Sequence, residues 1–109
     1  MEIDFNKSPC IYWSNKEKCN YLQRYILIHS IIYYLLNSST ISDKQFDTVC
    51  KQLVNLSKTT ENYSKTEYYS VFKGFTGETG FDLYYKLNKQ DQKYLLGIAA
   101  HVLKLKEGI

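Results

Sequence analysis

The sequence predicts an all-α protein: a small helical domain with an antiparallel helix pair, a glycine-rich loop and a C-terminal helix. Three observations carry this. Ser14 with Glu17, and Ser42 with Gln45, have the spacing of capping boxes, and each stands ahead of an apolar run. Within those runs apolar residues return at steps of three and four, not two. The stretch "GFTGETGFD", Gly74 to Asp82, gathers three of the five glycines into one loop between helical segments.

Residues 1–14 are mostly polar and contain the one proline, Pro9, but Ile11, Tyr12 and Trp13 have reason to pack, so a docked N-terminal arm is expected. A helix should begin near Asn15 and run to about Asn37. Cys19, Leu22, Ile26, His29, Tyr33 and Leu36 form one stripe on it, and Tyr25, Ile28, Ile32 and Leu35 form a second. Two stripes predict a central helix. Ser38-Ser39-Thr40 breaks the pattern, and a second helix follows from about Asp43 to Lys58, with Phe46, Val49, Cys50, Leu53 and Leu56 on its buried face. Thr59 to Ser64 is loop-like. Tyr68, Tyr69, Val71 and Phe72 fit a short helix or an extended strap equally well. Asn88 can cap a final helix from about Lys89 to Lys106, apolar at Tyr94, Leu95, Ile98, Val102 and Leu105, where Ala99 and Ala100 permit close approach to a neighbour.

A chain of 109 residues with 44% hydrophobic side chains fits one domain, residues 1–109, with one modest core. Its 14 basic and 11 acidic side chains give a formal charge of +3, and the lysines are scattered, so direct nucleic-acid binding is not favoured. Cys10, Cys19 and Cys50 share no zinc or disulfide spacing and read as reduced thiols, with Cys19 and Cys50 on buried faces. No metal site is expected. The first residues lack a secretory pattern, and the apolar run from Tyr25 to Leu36 is short of the ~20 residues that cross a bilayer. The expectation is a soluble cytoplasmic protein without a membrane partner; the oligomeric state is open.

The stretch "HSIIYYLLNSSTISDKQFD", His29 to Asp47, carries the functional signal. Tyr33-Tyr34, a polar corner with Ile41, then Asp43, Phe46 and Asp47 resemble the small N-terminal helical domain of bacterial NAD-dependent DNA ligases, where a Tyr-His pair precedes an I-x-D-x-x-Y-D run. The resemblance is ungapped from about Leu22 to Leu53. It implies a module that holds the nicotinamide mononucleotide (NMN) half of NAD, with aromatic rings on the nicotinamide and aspartates taking its polar groups. Tyr33, Asp43 and Asp47 match by position. Tyr34 stands where the family has histidine, and Phe46 where it has a second tyrosine, so stacking surface is kept while an imidazole and a phenolic hydroxyl are lost.

The chain contains no K-x-D-G motif and so lacks the ligases' lysine nucleophile. Over its whole length, including "TGFDLYYKL" from Thr79 to Leu87, it resembles small stand-alone ligase-related proteins of phages and mobile elements of low-GC Gram-positive bacteria. The resemblance implies a bacterial host cell as the setting, Tyr33, Tyr34, Asp43, Phe46 and Asp47 as a ligand site, and an NMN- or NAD-like molecule as the ligand, with no resident cofactor.

The same residues have plainer readings. Asp43 lies in a first helical turn, where a carboxylate gains about 0.3–1 kcal/mol from the macrodipole, and Asp47 follows one turn later. Against this, Asp43, Phe46 and Asp47 share one helical face, and two like charges so placed repel until something relieves them. His29 reads as a satisfied core histidine or a base, and His101 has no visible partner. The doublets Tyr33-Tyr34, Tyr68-Tyr69 and Tyr84-Tyr85 hold six of eleven tyrosines; neighbours on a helix point about 100° apart, so each doublet can bury one ring and offer the other. Tyr68, Tyr69, Tyr84 and Tyr85 are therefore candidate interface residues. Amides around Gly77, Thr79 and Gly80 could cradle an anion or simply form a turn.

No nucleophile-base constellation is legible, so no enzyme is expected. Two functions remain. One is a non-catalytic binding protein of a phage or mobile element, acting in host–phage conflict by binding a nicotinamide- or nucleotide-like small molecule or a host factor. The other is a protein-binding inhibitor of a host defence nuclease, anti-CRISPR-like, which uses a tyrosine-rich surface and takes no small molecule.

Overall fold

Ser14 starts the first helix as its spacing predicts. Its hydroxyl accepts from the Glu17 N–H at 3.2 Å, and the Glu17 carboxylate accepts from the Ser14 N–H at 3.0 Å, which closes the capping box ahead of α1 (Asn15–Tyr34). In a computed structural model that describes residues 1–77 and 80–107, the remaining helices are α2 (Asp43–Ser57), the single turn α3 (Tyr69–Phe72) and α4 (Lys89–Glu107). No strand occurs among the described residues, and the protein is all-α.

α1 and α2 are antiparallel. Near the start of α1, the Cys19 thiol lies 3.4 Å from the Thr60 hydroxyl just beyond the end of α2, while at the other end His29 meets Thr40 just before α2 begins. α4 runs along α1 in the same sense as α1: Tyr94 interacts with Arg24, and at the far end the Lys106 ammonium donates to the Ser39 carbonyl at 2.7 Å. Asn88 caps α4, its side-chain oxygen accepting from the Asp91 N–H at 2.8 Å.

Covered by both long helices, α1 buries Cys19, Leu22, Ile26, Leu27, Ile31 and Ile32 completely. This corrects the two predicted stripes. Leu27 and Ile31 are central, Tyr25, Ile28 and His29 are only half-buried, and Tyr33 is exposed. Periodicity misplaces the face because two polar residues, Gln23 and Ser30, sit in the core. On α4 the contact is narrower than expected: Leu95 and Ala99 are buried, whereas Tyr94 and Leu105 are exposed.

The short segment 58–72 crosses α1 as a strap, bonded partly by its own turns and partly by side chains of α1. The Gln23 carboxamide donates to the Thr66 hydroxyl at 2.9 Å and accepts from the Tyr68 N–H at 3.1 Å. Asn20 accepts from the Glu67 N–H at 2.8 Å, and a single guanidinium nitrogen of Arg24, Nη2, donates to both Glu67 carboxylate oxygens at 3.0 and 3.1 Å. The strap thus needs little helix of its own. The N-terminal arm is held the same way: Gln52 on α2 accepts from the Ile3 N–H at 2.8 Å and donates to the Ile3 carbonyl at 2.9 Å, while Phe5 is buried beside Trp13 and Tyr21.

Leu22→Ala, Ile26→Ala and Leu53→Ala should each lower unfolding free energy by about 2–5 kcal/mol in urea titrations, because each empties a fully enclosed volume. Losses below about 1 kcal/mol for all three would contradict this packing. Gln23→Leu, though it makes the core more apolar, should cost about 1–3 kcal/mol, since the buried Tyr68 N–H loses its acceptor.

Candidate functional site

α1 ends by unwinding. The Leu36 N–H reaches back to the Ile31 carbonyl at 3.1 Å, the Ser38 N–H reaches the Ile32 carbonyl at 3.0 Å, and Asn37 turns left-handed at φ 52°. The corner then climbs to Ser42, whose hydroxyl accepts from the Gln45 N–H at 3.0 Å and starts α2. The capping box predicted here is half-made, because the Gln45 side-chain oxygen accepts instead from the Met1 ammonium. Lys106 holds the outside of the corner through the Ser39 carbonyl.

Between the end of α1 and the start of α2 lies a pocket of about 210 Å³, lined by Tyr33, Tyr34, Phe46, Asp43, Asp47 and His29, together with corner residues 39–42. All five ligand candidates from the sequence therefore face one space. Tyr33 and Tyr34 stand edge to face, 4.8 Å apart between ring centres and 86° between planes, so a flat guest parallel to one ring is nearly perpendicular to the other. They also border a shallower concavity over Asn37, Ser38 and Ser39.

The glycine loop supports these walls. A Cβ on Gly80 would stand 3.1 Å from the Phe46 ring and 3.1 Å from the Ser30 Cβ, so the missing side chain lets the loop close against both helices. Gly77, at φ 88°, is buried against Cys50 and Val54. The next residue after Gly80, Phe81, meets the Tyr34 ring edge to face at 5.5 Å. Gly77 and Gly80 thus serve close packing, and Thr79, the third residue of the suggested anion cradle, lies outside the described residues.

The carboxylates differ. Asp47 is paired with Lys51 at 2.9 Å, so the expected repulsion between the two aspartates is already eased from within the protein. Asp43 has no hydrogen-bond or ion-pair partner among the described residues and is exposed at the pocket's rim.

The sequence did not mark His29 as part of this site. It is half-buried, its ring centre lies 4.4 Å from that of Tyr25, and its Nδ1 is 3.1 Å from the Thr40 hydroxyl. The signal was present in its position four residues before Tyr33, which puts both side chains on one helical face. The Thr40–His29 contact does not make a catalytic triad, because no carboxylate hydrogen-bonds the imidazole among the described residues. Cys19 and Cys50 are poor nucleophiles: burial raises Cys19, and burial with the nearby Asp47 charge pushes Cys50 up to about 12. Among the described residues no three His, Cys, Asp or Glu side chains cluster to hold a metal ion, and no helix is long and apolar enough to cross a membrane.

The tyrosine interface requires correction. Tyr68 is only 4% exposed and belongs to the core, because Gln23 fixes its backbone and turns the ring inward. Tyr69 packs half-buried against Tyr63, and Tyr84 is half-buried against Tyr85, leaving only Tyr85 of the four well exposed, at 66%. The doublet that shows both rings is Tyr33-Tyr34, at 50% and 39%.

Burial lowers the pKa of His29 from its usual value near 6.5. The unfolded chain then binds this proton more readily than the folded one, so His29 stabilises the fold fully above about pH 6.5, and that contribution is lost as pH falls toward its folded value. Unfolding free energy measured across this window should fall on acidification, and His29→Gln should flatten the dependence.

Comparison with family models, with curated proteins and with solved structures finds no match to the chain, so the chemistry of the pocket carries its functional interpretation.

Proposed function

We propose that the chain is a non-catalytic binding protein whose α1–α2 pocket takes a nicotinamide- or nucleotide-like small molecule. The observation that supports this is the convergence of Tyr33, Tyr34 and Phe46 with Asp43 and Asp47 around one partly open pocket. Aromatic rings can stack on a flat heterocycle, and carboxylates can accept from its amide or from ribose hydroxyls; neither group can do the other's task. The volume is below the roughly 300–1,000 Å³ of sites that enclose drug-sized ligands, so it suits a single heterocycle with the rest of the molecule lying outside, over the concavity at Asn37–Ser39. That division matches the NMN half of NAD implied by the ligase resemblance. His29 brings an imidazole to the pocket from the turn below Tyr33, where the resemblance lost one at Tyr34. In the setting the resemblance implies, a phage or mobile element in a bacterial cell, such a protein sequesters its ligand during host–phage conflict.

A second reading is supported by the exposed rings. Tyr33, Tyr34 and Phe81 are in consecutive edge-to-face contact at the surface, and surface aromatics of this kind suit a protein partner such as a host defence nuclease.

Calorimetric titration with NMN, NAD and ADP-ribose separates the two. At least one should bind, and Asp43→Asn or Tyr33→Ala should weaken it by about 1 kcal/mol or more while thermal unfolding stays cooperative. A folded protein that binds none of the three would exclude the pocket as a nicotinamide or nucleotide site and leave the protein-binding reading.

A further inference from the structure

We propose that a second pocket, at the end of α2 remote from the corner, binds a small aromatic carboxylate, with its ring inside and its carboxylate on Lys73. This pocket shares no lining residue with the one between α1 and α2. Its volume is about 200 Å³. A cavity of roughly 150 Å³ lined by aliphatic and phenyl side chains admits benzene, so there is room here for a single ring with a short acidic arm. Leu53 and Val54 of α2 supply aliphatic surface, and Tyr63, Tyr69, Phe72 and Phe75 supply four rings. Tyr63 and Tyr69 meet edge to face at 5.7 Å between centres, and Phe72 and Phe75 do so at 5.2 Å. Each right-angled pair sets a π face beside a ring edge, and an aromatic guest packs well on both.

The turn that carries Lys73 is already formed. Lys73 at φ −58°, ψ 121° and Gly74 at φ 80° have the angles of a type II turn, closed by the Phe75 N–H, which donates to the Phe72 carbonyl at 2.9 Å. Lys73 is exposed at the pocket's rim and is the one charged residue among those that line it. Its ammonium has no hydrogen-bond or ion-pair partner among the described residues. Counting every charge in full keeps the sign. Residues 51–80, which include all the walls, carry four lysines against Glu61, Glu67 and Glu78; the ion-pair partners Asp47 and Arg24 cancel, and the C-terminus of α2 adds about half a negative charge. The sum remains positive. The last carbonyls of α2 are also occupied, Val54 by the Ser57 hydroxyl at 2.7 Å and Leu56 by the Thr60 hydroxyl at 2.6 Å. Since the π faces of the walls are negative, a carboxylate is favoured outside them, at Lys73.

Phenylacetate and phenylacetamide test the proposal, because they share a ring and an arm and differ in charge. NMR titration at low salt, following ring signals of Tyr63, Tyr69 and Phe75, should show phenylacetate binding about threefold more tightly or better, the scale of one charge pair at a surface. Lys73→Met, an exposed substitution, should bring the two affinities within about 1.5-fold of each other by weakening phenylacetate alone. Lys44→Met, at the opposite end of α2, should leave the ratio unchanged, which separates a local contact from net charge. Phe75→Ala should weaken both compounds while thermal unfolding stays cooperative. Equal affinities in the unaltered protein, a preference that survives Lys73→Met, or shifts confined to Tyr33, Tyr34 and Phe46 would each overturn the site. So would signals of Tyr63, Tyr69 and Phe75 that respond to neither compound, and the α1–α2 pocket is decided separately by its own titrations.

Discussion

A helix that is apolar around most of its circumference must be covered on several sides, and α1 is that helix. Leu22, Ile26, Leu27, Ile31 and Ile32 are fully enclosed, which no single partner helix could achieve. α2 covers one side and α4 another, and the strap together with residues 84–86 adds further cover. The strap has only short helical turns, at Tyr63–Lys65 and Tyr69–Phe72, and the Tyr68 N–H between them finds its acceptor on α1, which carries Gln23 into the core to meet Thr66 and Tyr68. A buried polar side chain on the central helix is thus a consequence of covering it with irregular chain.

That consequence also marks how far the sequence could be read. Helix existence and starting points were legible because they are set locally: the Ser14–Glu17 box, the Ser42 cap and the Asn88 cap depend on residues three positions apart, whereas the end of α1, expected near Asn37, falls at Tyr34 where the chain unwinds. The orientation of α1 was not, because Gln23 and Ser30 look like surface residues until their partners, remote in sequence or folded back on the same helix, are known. Tyr68 was misread for the same reason: its inward turn follows from a bond to Gln23, 45 positions away. In the site, the aromatic and acidic residues from Tyr33 to Asp47 were legible as a pattern because one corner brings them together. Lys51, one turn beyond Asp47, could have been identified from its i, i+4 spacing. Gly80 could not, since its role depends on how a distant loop approaches Ser30 and Phe46.

The pocket lies where cover runs out. α1 continues past its buried stretch to Tyr33 and Tyr34, whose rings stand at the surface, and exposing aromatic area in this way forgoes burial that the core would otherwise gain. The surrounding corner is nevertheless held from three directions: Ser42 caps α2, Lys106 bonds Ser39, and Gly80 seats the following loop against Phe46. A site whose walls are fixed before a guest arrives loses less entropy on binding than one that must be assembled.

Stability and site therefore draw on different ends of the same two helices. The antiparallel pairing places core residues such as Leu22 and Leu53 away from the corner, while Asp43, Tyr33 and Tyr34 at the corner stand at the surface outside the core. Their identities are free to answer to whatever occupies the pocket. His29 is the exception, because it is packed against Tyr25 and Thr40 yet also lines the pocket. Protonation there would weaken the fold and add a positive charge to a pocket wall that also carries Asp43 and Asp47, so the neutral imidazole favoured by burial belongs to packing and pocket together.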